Sequence, residues 1–246
     1  MRQYLRIKGP TQTVAYWVSI VFGIYGVYLI QQGQMSASWG LVSFVAYLWF
    51  VLTITVGYHR LFAHRAFECS PIWHLIFGFT GVVIFQGSPL SWAAVHHAHH
   101  KHADTPQDSH ITDWRYWLGR QYGPILKTKR AYAHLMKDRM HIVLHEYGLL
   151  FPLALIAVLF VVSPDLLLYG YLLPLGVFFL FSNIHQSFSH FNGKPRNQPW
   201  LEFVFPACGE WTHANHHDNP RAWRFGTVDL GAVFISSIRN NERTTN

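Results

Sequence analysis

Four long apolar segments, all of them free of Lys and Arg, constrain this chain more than any other feature. They lie at about 13–30, 39–56, 147–162 and 166–183. A helix needs about 20 apolar residues to cross a ~30 Å hydrocarbon core, so these segments predict membrane spans. The links at 31–38 and 163–165 hold no cation. All 19 Lys and Arg fall in residues 1–10, in 59–146, or after 183. The positive-inside rule puts those three regions in the cytoplasm. A fifth apolar stretch, about 72–85, must then stay on one side and predicts an interfacial helix.

Composition agrees with a lipid environment. Only 13% of the 246 residues are charged and 50% are hydrophobic, against about 25% charged in a soluble domain. The net charge of +7 suits anionic headgroups better than nucleic acid, because the cations are not gathered on one solvated face. Cys69 and Cys208 fit neither a disulfide framework nor a zinc spacing. No cleavable signal segment is expected at the start of the sequence, because 1–10 is polar and basic.

The chemistry sits in the histidines, of which there are 17. His59 and His64 form an H-x4-H pair. His96, His99 and His100 form H-x2-H-H, and His213, His216 and His217 form a second one. Imidazoles at i, i+3 and i+4 share one face of a helix. A single histidine is usually a solvated or capped side chain, but three clusters beside span boundaries predict a metal centre. The number of ligands is enough for two ions. A structural zinc site would close on four ligands and usually uses cysteine. A haem would use two histidines and leave most of them unexplained. Neutral ligands around two ions suit oxygen activation by iron, while imidazole alone also admits zinc, copper and nickel.

The same residues resemble the membrane fatty acyl desaturases, over nearly the whole chain. Gly57-Tyr58-His59-Arg60-Leu61-Phe62-Ala63-His64-Arg65 resembles that family's first histidine box. His96–His100, with the acidic sequel to Asp108 and His110, resembles the second. Gly209-Glu210-Trp211-Thr212-His213-Ala214-Asn215-His216-His217 resembles the third. The resemblance implies nine ligands to two non-haem irons: His59, His64, His96, His99, His100, His190, His213, His216 and His217. His190 is matched through the Phe191-Asn192-Gly193 that follows it. Zinc can replace iron after expression in a foreign host.

Gln186 stands where the family has an Asn holding a metal-bound water, with Asn183 as the alternative position. Asp104 and Asp108 are candidates to orient ligand imidazoles. Gln86 and Trp92 match residues at the bend of the family's acyl tunnel. Ala94-Val95 stands where the family often has Arg-Asp near the acyl carrier, so CoA, carrier protein and lipid all remain open.

The expected fold is an all-α integral membrane protein of one domain, 1–246. It has four transmembrane helices, an interfacial helix and a cytoplasmic helical cap around a dimetal site. The implied reaction is oxygen-dependent insertion of a cis double bond, of Δ9 type, into a long acyl chain. A related diiron hydroxylase or fatty acid decarboxylase is the alternative, and a membrane metal carrier or haem protein is the non-enzymatic one. No flavin or nucleotide fingerprint and no His-Pro-Gly-Gly haem motif occurs. Electrons are therefore expected from a ferredoxin, a rubredoxin or a cytochrome b5-type donor with its reductase. The donor would dock on cations such as Lys127, Lys129, Arg130, Lys137 and Arg139. The expected location is a bacterial inner membrane, with the termini and metal site cytoplasmic.

Overall fold

Serine caps and proline first turns start several of the helices that carry this fold. Ser36 Oγ accepts from the Trp39 amide at 3.3 Å. Ser88 Oγ accepts from the Ser91 amide at 3.2 Å, with Pro89 in the first turn. Such residues satisfy or remove the unpaired first amides of a helix. The structure, a computed structural model, describes residues 10–110 and 129–240. Lys127 falls outside them. Among the described residues the regular elements are helices and no strand forms. They are α1 Pro10–Gln31, α2 Ala37–Ala63, α3 Pro71–Val83, α4 Pro89–His102, α5 Arg139–Glu146, α6 Leu150–Val162, α7 Pro164–Ser189, α8 His213–Asp218 and α9 Leu230–Ile238.

Three stretches are long and apolar enough to cross a membrane: Thr13–Gln31, Ala37–Ala63 and Pro164–Ser189. Val14, Val21 and Ile24 of α1 are 59–67% exposed, which lipid tolerates and water does not. The fourth expected span is shorter than its apolar run suggested. α6 has 13 residues and rises only ~20 Å. It reaches span length only together with α5, from which it is bent by 73°. The count is three spans, or four if the bent pair is one. α3 also has 13 residues, too few to cross by itself.

α2 differs from expectation as well. The sequence predicts its end near 56, yet the helix runs on to Ala63. From Thr53 it winds as a π-helix, with His64 N–H closing on His59 O at 3.0 Å. It ends where Arg65 takes a positive φ of 54°. The box His59–His64 is thus in helix, not in a loop beyond the span.

The spans pack through small residues and aromatics. α1 and α7 meet at Gly23 and Gly176. A Cβ on Gly176 would run into Ser19 O and come within 2.9 Å of Gly23 Cα. Close backbone approach of this kind favours helix association in lipid. Tyr16, Phe50, Leu175, Phe178 and Phe179 fill the core among α1, α2 and α7. Val56, Tyr58, Phe62, Phe77, Leu90 and Ile235 fill a second core, where α3, α4 and α9 press on the π-helical segment.

Candidate metal centre

The structure gathers the histidines into two groups that could each hold a metal ion. His59, His64, His96, His100 and His216 form one; His99, His190, His213 and His217 form the other. The π-helix explains the first pair. On an α-helix, five residues turn about 500° and would leave His59 and His64 about 140° apart. The i→i+5 closure of a π-helix stacks them instead, and their rings lie 5.0 Å apart.

The two H-x2-H-H clusters divide in opposite ways. α4 gives its i and i+4 members, His96 and His100, to the five-histidine group and its i+3 member, His99, to the other. α8 gives His216 (i+3) to the five-histidine group and His213 and His217 (i, i+4) to the other. His97 joins neither group. Its Nε2 donates to Ala63 O at 2.9 Å and ties α4 to the end of α2.

The nitrogen geometry fits a cation. His216 Nε2 lies 2.9 Å from His59 Nε2 and 2.8 Å from His100 Nε2. His100 Nε2 is 3.1 Å from His96 Nε2, which is 2.7 Å from His64 Nε2. One ring nitrogen carries one proton or one lone pair, so these contacts cannot all be hydrogen bonds. An ion at their centre satisfies every lone pair. Ligand nitrogens about 2.0–2.1 Å from a metal and at right angles lie about 2.9 Å apart, close to what is observed. In the second group His190 Nε2 and His217 Nε2 lie 2.8 and 3.1 Å from His213 Nε2. His99 Nε2 is buried there without a hydrogen-bond partner. Burial, first, and neighbouring imidazoles, second, hold His64 and His217 down to about 3. Both therefore present free lone pairs at neutral pH.

Carboxylates fix the far side of three rings. His99 Nδ1 meets Asp108 at 2.9 and 3.0 Å. His190 Nδ1 meets Asp104 at 3.1 and 3.2 Å. His59 Nδ1 meets Glu210 Oε1 at 2.9 Å. In each ring this leaves Nε2 for the group. Asp104 holds a positive φ of 59° just past α4, a conformation that Asp tolerates. Its backbone N–H donates to Asp108 Oδ2 at 2.9 Å, and the His110 N–H to Asp108 Oδ1 at 2.8 Å. Asp108→Ala is expected to lower metal affinity about 10–100-fold, read as metal retained per chain during chelator titration. Unchanged retention would remove Asp108 from this role.

A cavity opens beside the rings. Its lining includes the imidazoles of His59, His96, His99 and His213 and the apolar side chains of Val51, Ile54, Phe178 and Phe181. Gln86 and Trp92 both line it, with Trp92 stacked on His96 at 4.8 Å. Gln186 also lines it, and its Nε2 is buried without a partner. Asn183, the alternative position, instead donates to Tyr16 Oη at 2.5 Å and does not line the cavity.

No protein-family model matches the chain. It is 27% identical over 253 residues to an sn-1 stearoyl-lipid 9-desaturase of Synechocystis sp., covering 93% of this chain and 79% of that protein. It is 26% identical over 251 residues to a hex-5-enoyl-(acyl-carrier protein) acetylenase of Moorena producens, covering 86% and 74%. It is 26% identical over 247 residues to an acyl-CoA Δ11 desaturase of Trichoplusia ni, covering 87% and 67%. The chain is a relative of the fatty acyl desaturases.

This desaturase relative holds a further network that the sequence did not reveal. Arg60, wholly buried, donates to Asp229 Oδ1 and Oδ2 at 3.0 and 3.1 Å and to Cys208 O at 2.8 Å. Its guanidinium lies 3.8 Å from Glu210 and 3.9 Å over the Phe225 ring. Burial pushes the Glu210 carboxyl well above the usual range, and the Arg60 charge opposes that. Asp229 also caps α9, accepting from Ala232 N–H at 2.8 Å. Glu210 lies three residues before His213, inside the third box, and that proximity was its only signal. Arg60 and Asp229 are 169 residues apart, with no local pattern to pair them. His185, Glu210 and His213 form another three-residue group, but His185 Nε2 is engaged by Glu210 O at 3.1 Å.

Proposed function

We propose that this chain is an oxygen-dependent diiron fatty acyl desaturase that places a cis double bond, of Δ9 type, in a long acyl chain. The observation that carries this reading is a cavity whose lining combines imidazoles of both histidine groups with aliphatic and aromatic side chains. His59, His64, His96, His100 and His216 would hold one iron; His99, His190, His213 and His217 would hold the second. The irons, when bound, would supply the oxidising power that unactivated methylene C–H bonds require, with dioxygen reduced to water.

The protein's own part is placement. Val51, Ile54, Phe178 and Phe181 hold the alkyl chain in a dry slot, and Trp92 presses it toward the rings. Gln86 shapes the bend. Gln186 holds a solvent ligand at the second group, which has one histidine fewer than the first. Asp104, Asp108 and Glu210 keep three imidazoles in one tautomer. The metal centre faces the cytoplasm of a bacterial inner membrane, where Lys and Arg flank the spans. Arg130, Lys137 and Arg139 are exposed and suit an acidic electron carrier of the ferredoxin, rubredoxin or cytochrome b5 type. The named relatives act on lipid-, carrier protein- and CoA-linked chains, so the carrier is a matter for assay.

The test is expression with a reductase system, with iron content verified, followed by fatty acid profiling. New cis-monounsaturated acids are expected. An unchanged profile from iron-loaded protein overturns the proposal. Hydroxylated or shortened chains with no new double bond would replace it with a hydroxylase or decarboxylase.

A further inference from the structure

The segment between α7 and α8 turns apolar side chains outward. Pro199–Phe203 is a short 3-10 helix, in which residues three apart stand on the same edge. Trp200 and Phe203 share its outer edge at 63% and 78% exposure, and Val204 and Phe205 follow at 59% and 40%. None belongs to a stretch long enough to cross a membrane, since the last of those ends at Ser189. Adjacent exposed apolar side chains of this size mark an interaction surface. The opposite edge fixes their exposure. Glu202, buried, accepts from the Ala207 N–H at 2.9 Å and from the Gly209 N–H at 2.7 Å. Phe205 N–H donates to Leu201 O at 2.7 Å, and Phe205 O accepts from Trp211 Nε1 at 2.8 Å. The outer side chains therefore cannot fold back onto the protein without breaking buried hydrogen bonds.

Two observations say what covers the patch. Val204, Phe205 and Pro206 line one groove with Phe44 of α2 and with Val177 and Leu180 of α7, and Pro206 O accepts from Tyr47 Oη of α2 at 3.2 Å. Phe44, Val177 and Leu180 are 39–50% exposed within the spans, so the patch continues a surface that faces lipid. Lys194 and Arg196, both exposed, precede it, and Glu202, the one acidic residue of 190–206, is buried. Aromatics beside uncompensated cations suit the interface of an anionic bilayer, rings among the upper acyl chains and cations at the phosphates. We propose that Pro199–Phe205 is a membrane-seated lip. Trp200, Phe203, Val204 and Phe205 enter the leaflet on the metal-centre side, and Lys194 and Arg196 lie at its headgroups. The same hydrogen bonds join the lip to Gly209 and Trp211, on either side of Glu210, so the lip sets the height of the third histidine segment above the bilayer. This holds whatever reaction the centre performs.

Spin labelling of the full chain in bilayers of phosphatidylcholine and phosphatidylglycerol tests it. Cys69 and Cys208 are 8% and 1% exposed, so a nitroxide on Phe203→Cys reports alone. In power-saturation measurements that label should collide severalfold more with dissolved oxygen than with a water-soluble nickel chelate, and a label on Lys194→Cys should reverse the ratio. Preference for the nickel chelate at both positions overturns the proposal. So does shielding from both probes at Phe203→Cys, which would put a second copy or another protein on the patch. Trp200 gives a readout without a new cysteine. Lipid brominated high in its chains should quench a smaller share of the emission in Trp200→Phe than in the wild type, and equal quenching overturns the lip.

Discussion

His216→Ala is expected to abolish turnover and to strip the five-histidine group of its ion. His216 Nε2 lies within 3 Å of both His59 and His100 nitrogens, so its removal opens the middle of the set. Losing an outer-shell partner alone costs about 10–100-fold in activity or metal affinity, so losing a ligand should cost more than about 100-fold. Metal per chain, measured by mass spectrometry, should fall by at least half. His97→Ala is the control. His97 lies inside the His96–His100 cluster in sequence but bonds to Ala63 O, so its variant should keep its metal. Equal metal content in all three proteins would break the ligand assignment.

The second large effect is on folding. Arg60→Met should leave Asp229 buried without its partner and Glu210 without the charge that offsets its burial. The Arg60 and Asp229 side chains are both wholly buried. Breaking such a pair by removing one member costs about 3–5 kcal/mol, a large share of a typical domain's stability. Purified Arg60→Met should lose its thermal transition in detergent or show it far lower. Pairing it with Asp229→Asn should restore part of the loss. If the double variant were as unstable as the single, the unpaired carboxylate would not be the cause.

The histidine set was legible in the sequence because its spacing has a local cause. His96, His99 and His100, and likewise His213, His216 and His217, sit one helical turn apart, and helix geometry forces them together. His190 came only through resemblance, since one histidine has no spacing to read. Asp104 and Asp108 were legible as candidates because they follow the second cluster closely. The structure sets each against the Nδ1 of a different ring. The π-helix was not legible. Nothing in Thr53–Ala63 marks an extra residue per turn, and the segment is held by burial against α3, α4 and α9. The span count was only partly legible. Apolar length located 147–162, but the sharp turn between α5 and α6 is tertiary. The Arg60–Asp229 pair joins residues far apart in the chain, and no periodicity reports such a contact.

The reciprocal division of the two H-x2-H-H clusters bears on how the centre would be loaded. α4 and α8 each hold both groups at once, as two rails hold every sleeper between them. An ion captured by His96, His100 and His216 would fix the axial position and rotation of both helices. That would set His99, His213 and His217 in place before the second ion arrived. Much of the entropy cost of ordering the second group would already be met, so the second ion should bind more tightly than the first. Half-loaded protein should then be scarce at every iron concentration, and the transition from empty to fully loaded should be steep.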